Sequence, residues 1–419
     1  MDPYEEPYAD GLVLSYLHTP EKPLRSYQIA SQVTESQMDF SLTPEHQLFR
    51  EGITEFLEKE IAPVLCDPEM GERFSWDIWR KIGEFGLLGA FIPKEFGGLG
   101  LDLLSVVLAF EEMAKVNSGL ALSVGAHNGF AGLTISAKGS KSQKEKYLPK
   151  LATGEWVGAG GWTEPNAGSD VHGIQTTAMR KRNTYLLNGT KTLITNAPIA
   201  NVVVILAVTD PTRKPAGLTT FILENDFRGF SQGEDLEKLG FGSSPTGELS
   251  FEECEVPIEN RLAEENAGFA ILMETFEKGR IGYGAICLGT ARACLESSIR
   301  RIREKNASGI PFTQLQAINF KIADMKTNIE AARLLIHRAT WLKDRGEPAE
   351  LEASMAKLFS SEVSIKVAAE AMRIFESQGF LKKHLVERYM RDSLLNTIGE
   401  GTSEIQRLII ARHVLKAEE

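Results

Sequence analysis

Near its C-terminus the chain reads Ile398-Gly399-Glu400-Gly401-Thr402-Ser403-Glu404-Ile405-Gln406-Arg407, and an amphipathic run follows. A single carboxylate, Glu400, stands between two glycines. Because glycine has no side chain, another molecule can approach this carboxylate closely. A carboxylate in a partly apolar cleft has a raised pKa and can act as a base near neutral pH.

The same stretch has a plainer interpretation. It is then a glycine-rich turn in which Glu400 is solvated and Ser403 and Glu404 cap the following helix. On this stretch alone the turn is the more common outcome, because a short motif is only a hypothesis. The rest of the chain has to decide between the two.

Length and composition narrow the class of protein. The 419 residues suffice for two or three domains with a large core. The 42% hydrophobic and 25% charged residues are ordinary for a globular protein. The net charge of -11 argues against nucleic acid as a partner.

Cysteine usage and the N-terminus bear on the compartment. Four scattered cysteines without a C-x-x-C pair indicate reduced thiols in a cytosolic enzyme, not a disulfide frame or a zinc site. The acidic residues 1–10 lack the character of a targeting segment. No apolar run reaches the roughly 18 residues of a membrane span. We therefore predict a cytoplasmic protein without a membrane span or a metal site.

Periodicity predicts an α+β fold in three parts after an N-terminal extension, residues 1–42. Residues 43–155 are helical in texture, beginning with Thr43 as N-cap and Pro44 at the first helical position. Short strand-like segments separated by turn residues predict a middle antiparallel, barrel-like β domain at 156–265. Four long amphipathic runs, about 267–304, 313–345, 350–378 and 381–416, predict a C-terminal four-helix bundle at 266–419.

Several stretches in the same order resemble the acyl-CoA dehydrogenase family. Residues 163–170, TEPNAGSD, are similar to the family's T-E-P-x-A-G-S-D signature, and residues 187–196 resemble its next β motif. Residues 277–280 resemble the acidic-x-x-Arg of the bundle, and Met390-Arg391-Asp392 with 400–407 resemble the C-terminal signature. The resemblance covers about residues 43–416. Because several motifs occur together in the family's order, they favour the catalytic interpretation of Glu400.

The resemblance implies oxidation of an acyl thioester to its α,β-unsaturated form, with FAD as hydride acceptor. Glu400 would remove the α-proton, and the flavin ribityl hydroxyl and the Glu400 N–H would stabilise the enolate oxygen. The implied cofactor contacts are Thr163, Gly168, Ser169, Thr195, Lys305, Gln316, Thr402 and Glu404. The implied substrate contacts are Ser169, Glu277, Arg280 and Gly401.

Partners follow from the same resemblance. The substrate is an acyl-CoA or a carrier-protein-bound acyl chain, and a bound flavin requires an electron-transfer partner. Lys305, Gln316 and residues 373–377 match positions that act on the neighbouring subunit's cofactor. A homodimer or homotetramer is therefore predicted, in line with the usual closed symmetry of soluble assemblies.

The flavin-facing positions depart from the family pattern. The departures are Gly160 for an aromatic ring, Trp162 for Leu or Val, Leu193 for Trp, Lys305 for Arg, Ser308 for Phe, Glu376 and Ser377 for two glycines, and Gly399 for an aromatic ring. They predict weaker FAD retention, since lost ring packing and a carboxylate near a pyrophosphate both cost binding energy. Glu376 would need a partner such as Arg373.

Two further expectations concern the acyl pocket. Gly399 and Gly160 each remove a ring, which predicts a substrate that is bulkier or more polar near its β-carbon. His127 falls in the region that lines the acyl chain in relatives, although an isolated histidine is more often structural.

Two alternative functions stay open at this point. One is a redox-neutral lyase or cyclase, in which Glu400 removes the α-proton and a β-group leaves without a hydride acceptor. The other is a non-catalytic binding or assembly subunit, against which the retention of Glu400, Gly401 and Arg280 argues.

Overall fold

The computed structural model describes residues 41–213, 215–309 and 311–416. The predicted extension at residues 1–42 therefore lies almost wholly outside the described residues. From Leu42 onward the chain forms one compact unit.

The N-terminal part is helical, as predicted. Its helices are α1 (Pro44–Phe56), α2 (Ala62–Leu65), α3 (Trp76–Glu84), α4 (Leu103–Val116), α5 (Ser118–Ala126), α6 (Leu133–Lys138) and α7 (Lys141–Thr153). Two π-helical turns, Leu57–Ile61 and His127–Gly132, join α1 to α2 and α5 to α6. The predicted cap is present, because the Thr43 side chain accepts a hydrogen bond from His46 N.

The middle part is an eight-stranded sheet. Its strands are β1 (Gly158–Gly161), β2 (Thr177–Arg180), β3 (Thr184–Thr195), β4 (Val202–Val208), β5 (Leu218–Glu224), β6 (Phe230–Gln232), β7 (Thr246–Pro257) and β8 (Arg261–Leu262). The order is β6-β7-β3-β2-β4-β5-β8, and β1 pairs with β4. The short strands β2, β6 and β8 were not predicted from the sequence.

Most strand pairs are antiparallel, but β1–β4 and β2–β4 are parallel. The prediction of a purely antiparallel sheet is therefore wrong at these two pairs. Strands β1 and β4 are buried along their whole length. Burial on both faces is the usual setting of parallel strands, and here helices cover them.

The C-terminal part is a helix bundle with one more break than predicted. Its helices are α8 (Gly268–Ala307), α9 (Gln316–Asp344), α10 (Glu350–Phe375), α11 (Val386–Leu395) and α12 (Ser403–Lys416). The run predicted as one helix at 381–416 is interrupted at 396–402. Glu400 and Gly401 have φ of +55° and +85°, which a right-handed helix cannot accommodate.

Two further features of the described ranges concern membrane spans and metal sites. No helix within them is long and apolar enough to cross a bilayer. They also contain no group of three or more His, Cys, Asp and Glu side chains arranged to hold a metal ion.

Candidate active site

Residues 396–402, which we call the Glu400 turn, are held by bonds to both flanking helices. Ser403 N donates to Thr397 O at 2.9 Å. Gln406 Nε2 donates to the carbonyls of Glu400 and Gly401 at 3.1 and 3.2 Å. Gln406 is fully buried, so the first turn of α12 fixes the backbone that carries the carboxylate.

A lysine from another helix also holds the turn. Lys357 of α10 is fully buried, and its Nζ donates to Gly401 O at 2.7 Å. Its ammonium lies 5.7 Å from the centre of the Tyr283 ring. Burial lowers the pKa of Lys357, because desolvation penalises the charged form.

The Glu400 carboxylate is placed as a base would be. Its Oε2 is buried and has no hydrogen-bond partner among the described residues. Gly279 of α8 permits this placement, since a Cβ there would lie 2.9 Å from Oε2. Burial raises the pKa of Glu400 to about 7, while the charges of Arg280 and Lys357 lower it. A lone oxygen with this pKa can accept a proton near neutral pH.

Glu400 lines an apolar cavity of about 40 Å³ between α4, α5, the π-helical turn at 127–132 and α8. The large apolar side chains in its lining are Phe91, Leu103, Val106, Phe110, Leu122, Phe130, Leu133 and Ile286. The cavity is narrow and apolar, which suits a hydrocarbon chain rather than a polar group.

The two glycines that replace family aromatics do not widen this cavity. A Cβ at Gly160 would lie 2.5 Å from Phe130 Cβ, and a Cβ at Gly399 would lie 2.9 Å from Tyr283 Oη. Phe130 and Tyr283 both line the cavity. Rings from other elements therefore fill the space at both glycines, and the expectation of a bulkier or more polar acyl group loses its support.

The predicted flavin-ring residues meet where β1 and β3 end. Thr192 N donates to Thr163 O at 2.9 Å, and a register shift between Lys191 and Ile194 marks a bulge in β3. At this bulge Leu193 has φ +56° and is 64% exposed, although its side chain is large and apolar. Thr195, two residues on, is half-buried.

This surface fits the flavin that the family implies. A flat heteroaromatic ring needs an apolar face and hydroxyl or amide groups at its edge, and an exposed leucine beside two threonines supplies both. Bulges are frequent next to active sites because they redirect a side chain. Thr163, Leu193 and Thr195 would therefore hold the ring.

The T-E-P motif also has a structural role. Glu164 accepts hydrogen bonds from Gln175 N and Thr176 N at 2.6 and 3.0 Å. Its third partner is the fully buried Lys191, whose Nζ lies 2.7 Å from Oε1. Burial lowers the pKa of Lys191 to about 8, and the Glu164 charge opposes that shift. Gly168 and Ser169 of the same loop are exposed and remain available to a ligand.

The predicted pyrophosphate contacts are arranged differently from the expectation. Lys305 Nζ lies 2.9 Å from Glu376 Oε2, so these two departures pair with each other. Arg373, named above as the partner, instead pairs with Glu370. Gln316, at the start of α9, is exposed. An anion at Lys305 would therefore have to compete with a carboxylate that the chain itself supplies.

The predicted substrate contacts of the bundle are engaged in holding helices. Glu277 accepts from Lys343 Nζ and from Ala349 N, each at 2.6 Å, and the second bond caps α10. Arg280 is buried and lies 3.8 Å from Glu350. In the Glu400 turn, Thr402 Oγ1 accepts from Ile405 N at 3.3 Å and caps α12.

Glu404, predicted beside the cofactor, is exposed on the first turn of α12. His127 is structural. Its Nε2 is 3.1 and 3.0 Å from the carbonyls of Leu88 and Leu151, and its Nδ1 accepts from Gly158 N at 2.9 Å. Burial lowers the pKa of His127 to about 4, so it joins α7 to β1 as a neutral ring.

The roles of three residues of the site were not predicted from the sequence: Lys357, Tyr283 and Gln406. One signal could have found Lys357, since it lies on the face of α10 that also carries Ala353, Ser360 and Ser364, all of them buried. A lysine on such a face needs a special partner.

Models of the acyl-CoA dehydrogenase family match nearly all of the described chain. The N-terminal domain model matches residues 43–155, the middle domain 159–254 and the C-terminal domain 266–415. The chain belongs to the acyl-CoA dehydrogenase family.

Individual relatives agree with this membership. A short-chain specific acyl-CoA dehydrogenase of Clostridium acetobutylicum is 40% identical over 379 residues, covering 90% of this chain and 100% of that protein. The structure of butyryl-CoA dehydrogenase from Megasphaera elsdenii superposes with a TM-score of 0.87 at 38% identity, covering 90% and 100% of the two chains. The structure of PigA with FAD and proline superposes with a TM-score of 0.87 at 30% identity, covering 90% of this chain and 99% of that one.

The protein is thus an acyl-CoA dehydrogenase-like oxidoreductase, and FAD is its cofactor. The predicted helical, sheet and bundle parts are confirmed. Neither the redox-neutral lyase nor the non-catalytic subunit gains support from these relatives.

Proposed function

We propose that this acyl-CoA dehydrogenase desaturates a short, apolar acyl thioester, with Glu400 as the base that removes the α-proton. The observation that carries the proposal is the buried Oε2 of Glu400, which has no partner among the described residues, on a side chain that lines the apolar cavity. A thioester α-proton is weakly acidic, so the base has to be desolvated and held beside it.

The residues have separate tasks. The cavity lining excludes water and aligns the acyl chain, while Glu400 Oε2 takes the proton from the α-carbon. Gly401 and Arg280 border the carboxylate, and Ser169 and Glu277 are proposed to contact the thioester and pantetheine. FAD, when bound, supplies the acceptor for the hydride that leaves the β-carbon.

The cofactor site is proposed at Thr163, Gly168, Ser169, Thr195, Lys305, Gln316, Thr402 and Glu404. Support comes from the exposed Leu193 between Thr163 and Thr195 and from the open space around Gly168, where a Cβ would meet nothing within 4 Å. The domains are proposed at 43–155, 156–265 and 266–419.

The partners are proposed on the same grounds. An acyl-CoA is the favoured substrate, with a carrier-protein thioester as the alternative, and an electron-transfer flavoprotein is the expected oxidant of the reduced cofactor. A homodimer or homotetramer would cover the large apolar side chains that the bundle exposes, among them Phe320 and Leu408, each 62% exposed. Light scattering that gives a monomer at micromolar concentration would contradict the assembly.

The test of Glu400 uses two variants of one residue. Glu400→Gln keeps the shape and loses the base, so solvent deuterium exchange into the α-position of bound butyryl-CoA should fall by about 10²–10⁴-fold. Glu400→Asp keeps a carboxylate but withdraws it, and should retain an intermediate rate. Wild-type exchange in Glu400→Gln would show that another group is the base.

A further inference from the structure

Lys357 is a buried cation without an acidic partner. Its side chain is fully buried, and within the described residues its Nζ bonds to a backbone carbonyl and forms no ion pair. The carboxylates of Glu400 and Glu404 act on it only over a longer range. Buried lysines are rare unless they are paired, because an unpaired ammonium loses its hydration without compensation. Stability of the fold therefore does not by itself explain why a lysine occupies position 357.

The partner that Lys357 does have is the backbone of the Glu400 turn. Its Nζ donates to Gly401 O at 2.7 Å, a charge-assisted hydrogen bond. Gly401 has φ +85° and Glu400 has φ +55°, so both residues occupy the left-handed region. For a non-glycine residue such a conformation costs on the order of 1–3 kcal/mol and persists only when its surroundings hold it.

The bonds to this turn come from two sides. Gln406 Nε2 reaches the carbonyls of Glu400 and Gly401 from α12. Lys357 reaches Gly401 O from α10, and it is the one of the two that carries a charge. The turn is therefore held from two helices of the bundle, by the Gln406 amide from α12 and by the Lys357 ammonium from α10.

We propose that Lys357 is a positioning residue for the base: its ammonium holds the Gly401 carbonyl and so fixes the turn that presents the Glu400 carboxylate to the acyl cavity. The proposal rests on the role of Glu400 proposed above. It assigns Lys357 no contact with the substrate, since Lys357 does not line the cavity.

The charge of Lys357 has a second effect on the base. The charged and titratable groups that act on Glu400 or Lys357 are Arg280, Tyr283 and Cys287 of α8 and Glu404 of α12. Lys278 of α8 lines the same cavity as Glu400. The cations Arg280 and Lys357 lower the pKa of Glu400, whereas burial raises it by more. Removal of Lys357 should therefore raise that pKa further, and the base would be protonated up to a higher pH.

The test compares Lys357→Met with Lys366→Met, which changes an exposed lysine of the same helix. The readout is α-proton exchange on bound butyryl-CoA between pH 5.5 and 9. In Lys357→Met the acid limb should move to higher pH, with exchange at least tenfold slower at pH 6 and a smaller loss at pH 8.5. The KM for butyryl-CoA should change less than kcat, and Lys366→Met should match the wild type.

A second variant, Lys357→Gln, serves if the methionine variant does not fold. Glutamine keeps an N–H donor for Gly401 O and loses the charge. Its acid limb should therefore move as in Lys357→Met, while its rate at pH 8.5 recovers towards the wild type. A role in stability alone would lower the melting temperature and leave the profile where it is.

The outcomes separate this proposal from the one it rests on. If Glu400→Gln loses exchange while a folded Lys357→Met or Lys357→Gln keeps the wild-type profile, the positioning role of Lys357 is overturned and Glu400 stands as the base. If Glu400→Gln exchanges at the wild-type rate, the base itself is misassigned. A loss in Glu400→Gln together with a shifted acid limb in the Lys357 variants is the expected result.

Discussion

Two breaks in the bundle each carry a glutamate with a positive φ, yet their carboxylates are opposite in character. Glu376, after α10, has φ +57°, is exposed, and pairs with Lys305 at 2.9 Å. Glu400, after α11, has φ +55° and a buried Oε2 without a described partner. Since φ is almost the same at both, the chemistry of each carboxylate comes from its burial and pairing.

The largest difference between the two should appear in stability against pH. The pKa of Glu400 rises from its ordinary 4.5 to about 7 in the folded protein. The native state therefore binds this proton more tightly than the unfolded state. The stability from this proton is fully present below pH 4.5 and is lost as pH rises through 7, by about 3 kcal/mol in all.

Glu400→Gln, which stays neutral, should escape that loss. In urea unfolding at pH 5, 7 and 9, the free energy of unfolding of the variant should rise relative to that of the wild type as pH rises, by up to about 3 kcal/mol. Glu376→Gln is the matched control and should run parallel to the wild type. Parallel curves for Glu400→Gln would mean that Glu400 is not a desolvated carboxylate.

The next effect concerns the backbone of the Glu400 turn. Gly401→Ala would place a Cβ 2.7 Å from Gln406 Nε2 at φ +85°, so the turn has to shift. A displacement of about 1 Å at a reacting group can cost roughly 10²-fold in rate. We expect a loss of that order in kcat for butyryl-CoA oxidation.

Gly97→Ala is the control for Gly401→Ala. Gly97 also has φ +85°, but a Cβ there would meet nothing within 4 Å. Both variants carry the strain of a positive φ, and Gly401→Ala adds the close contact with Gln406. Gly97→Ala should therefore lose less stability than Gly401→Ala, and only Gly401→Ala should lose activity. Equal activity in the two variants would separate the turn from catalysis.

The third effect concerns the other break. Glu376 has φ +57° and ψ -142°, a combination that suits glycine and costs other residues on the order of 1–3 kcal/mol. Its pair with Lys305 is partly exposed and contributes only about 0–1 kcal/mol. Both Glu376→Gly and Glu376→Ala lose that pair, but only glycine relieves the backbone strain. Glu376→Gly should therefore be more stable than Glu376→Ala by about 1–2 kcal/mol in urea unfolding.

Glu376→Gly also tests the cofactor site. Both the Gly and the Ala variant remove the carboxylate that competes for Lys305, so both should retain more FAD through gel filtration than the wild type. The absorbance between 350 and 500 nm gives the flavin content. A wild type that already holds one tight FAD per subunit, unchanged in both variants, would show that the Lys305–Glu376 pair does not weaken the site.

The sequence predicted the base and the main helices around it, but it did not predict which side chain pairs with Glu376. The residues around Glu400 and the family resemblance pointed to the base, and helical periodicity located α8, α9 and α10 within a few residues of their ends. The run at 381–416 was predicted as one helix, although the glycines on either side of Glu400 had also indicated a turn before α12. Positive φ at a glutamate is set by contacts from distant helices, which no local pattern records.

Contacts between distant segments account for the other differences. Glycine at 160 and 399 was interpreted as lost volume, but Phe130 and Tyr283 come from other elements and take that space. Glu376 was expected to need Arg373, its neighbour in sequence, and pairs with Lys305, 71 residues away. Complementary changes of this kind become visible only once the chain is folded.

The smallest effect tests whether Tyr283 and residue 399 share one space beside the base. Gly399 is not in the left-handed region, so alanine there meets no backbone strain. Its Cβ would lie 2.9 Å from Tyr283 Oη and 3.2 Å from Cζ, and the hydroxyl is therefore the main obstacle. Overpacking of this kind costs typically about 1–3 kcal/mol.

Tyr283→Phe removes that hydroxyl at little cost. The hydrogen bond from Tyr283 Oη to Asn396 Oδ1 is 3.3 Å long, and such a bond contributes only about 0.5–1.5 kcal/mol. In the Tyr283→Phe background, Gly399→Ala should therefore cost less than in the wild type, with a coupling energy of about 0.5–1 kcal/mol in a double-mutant cycle of urea unfolding. Additive losses would mean that the two side chains do not compete, and that the space beside Glu400 is open to a larger acyl group.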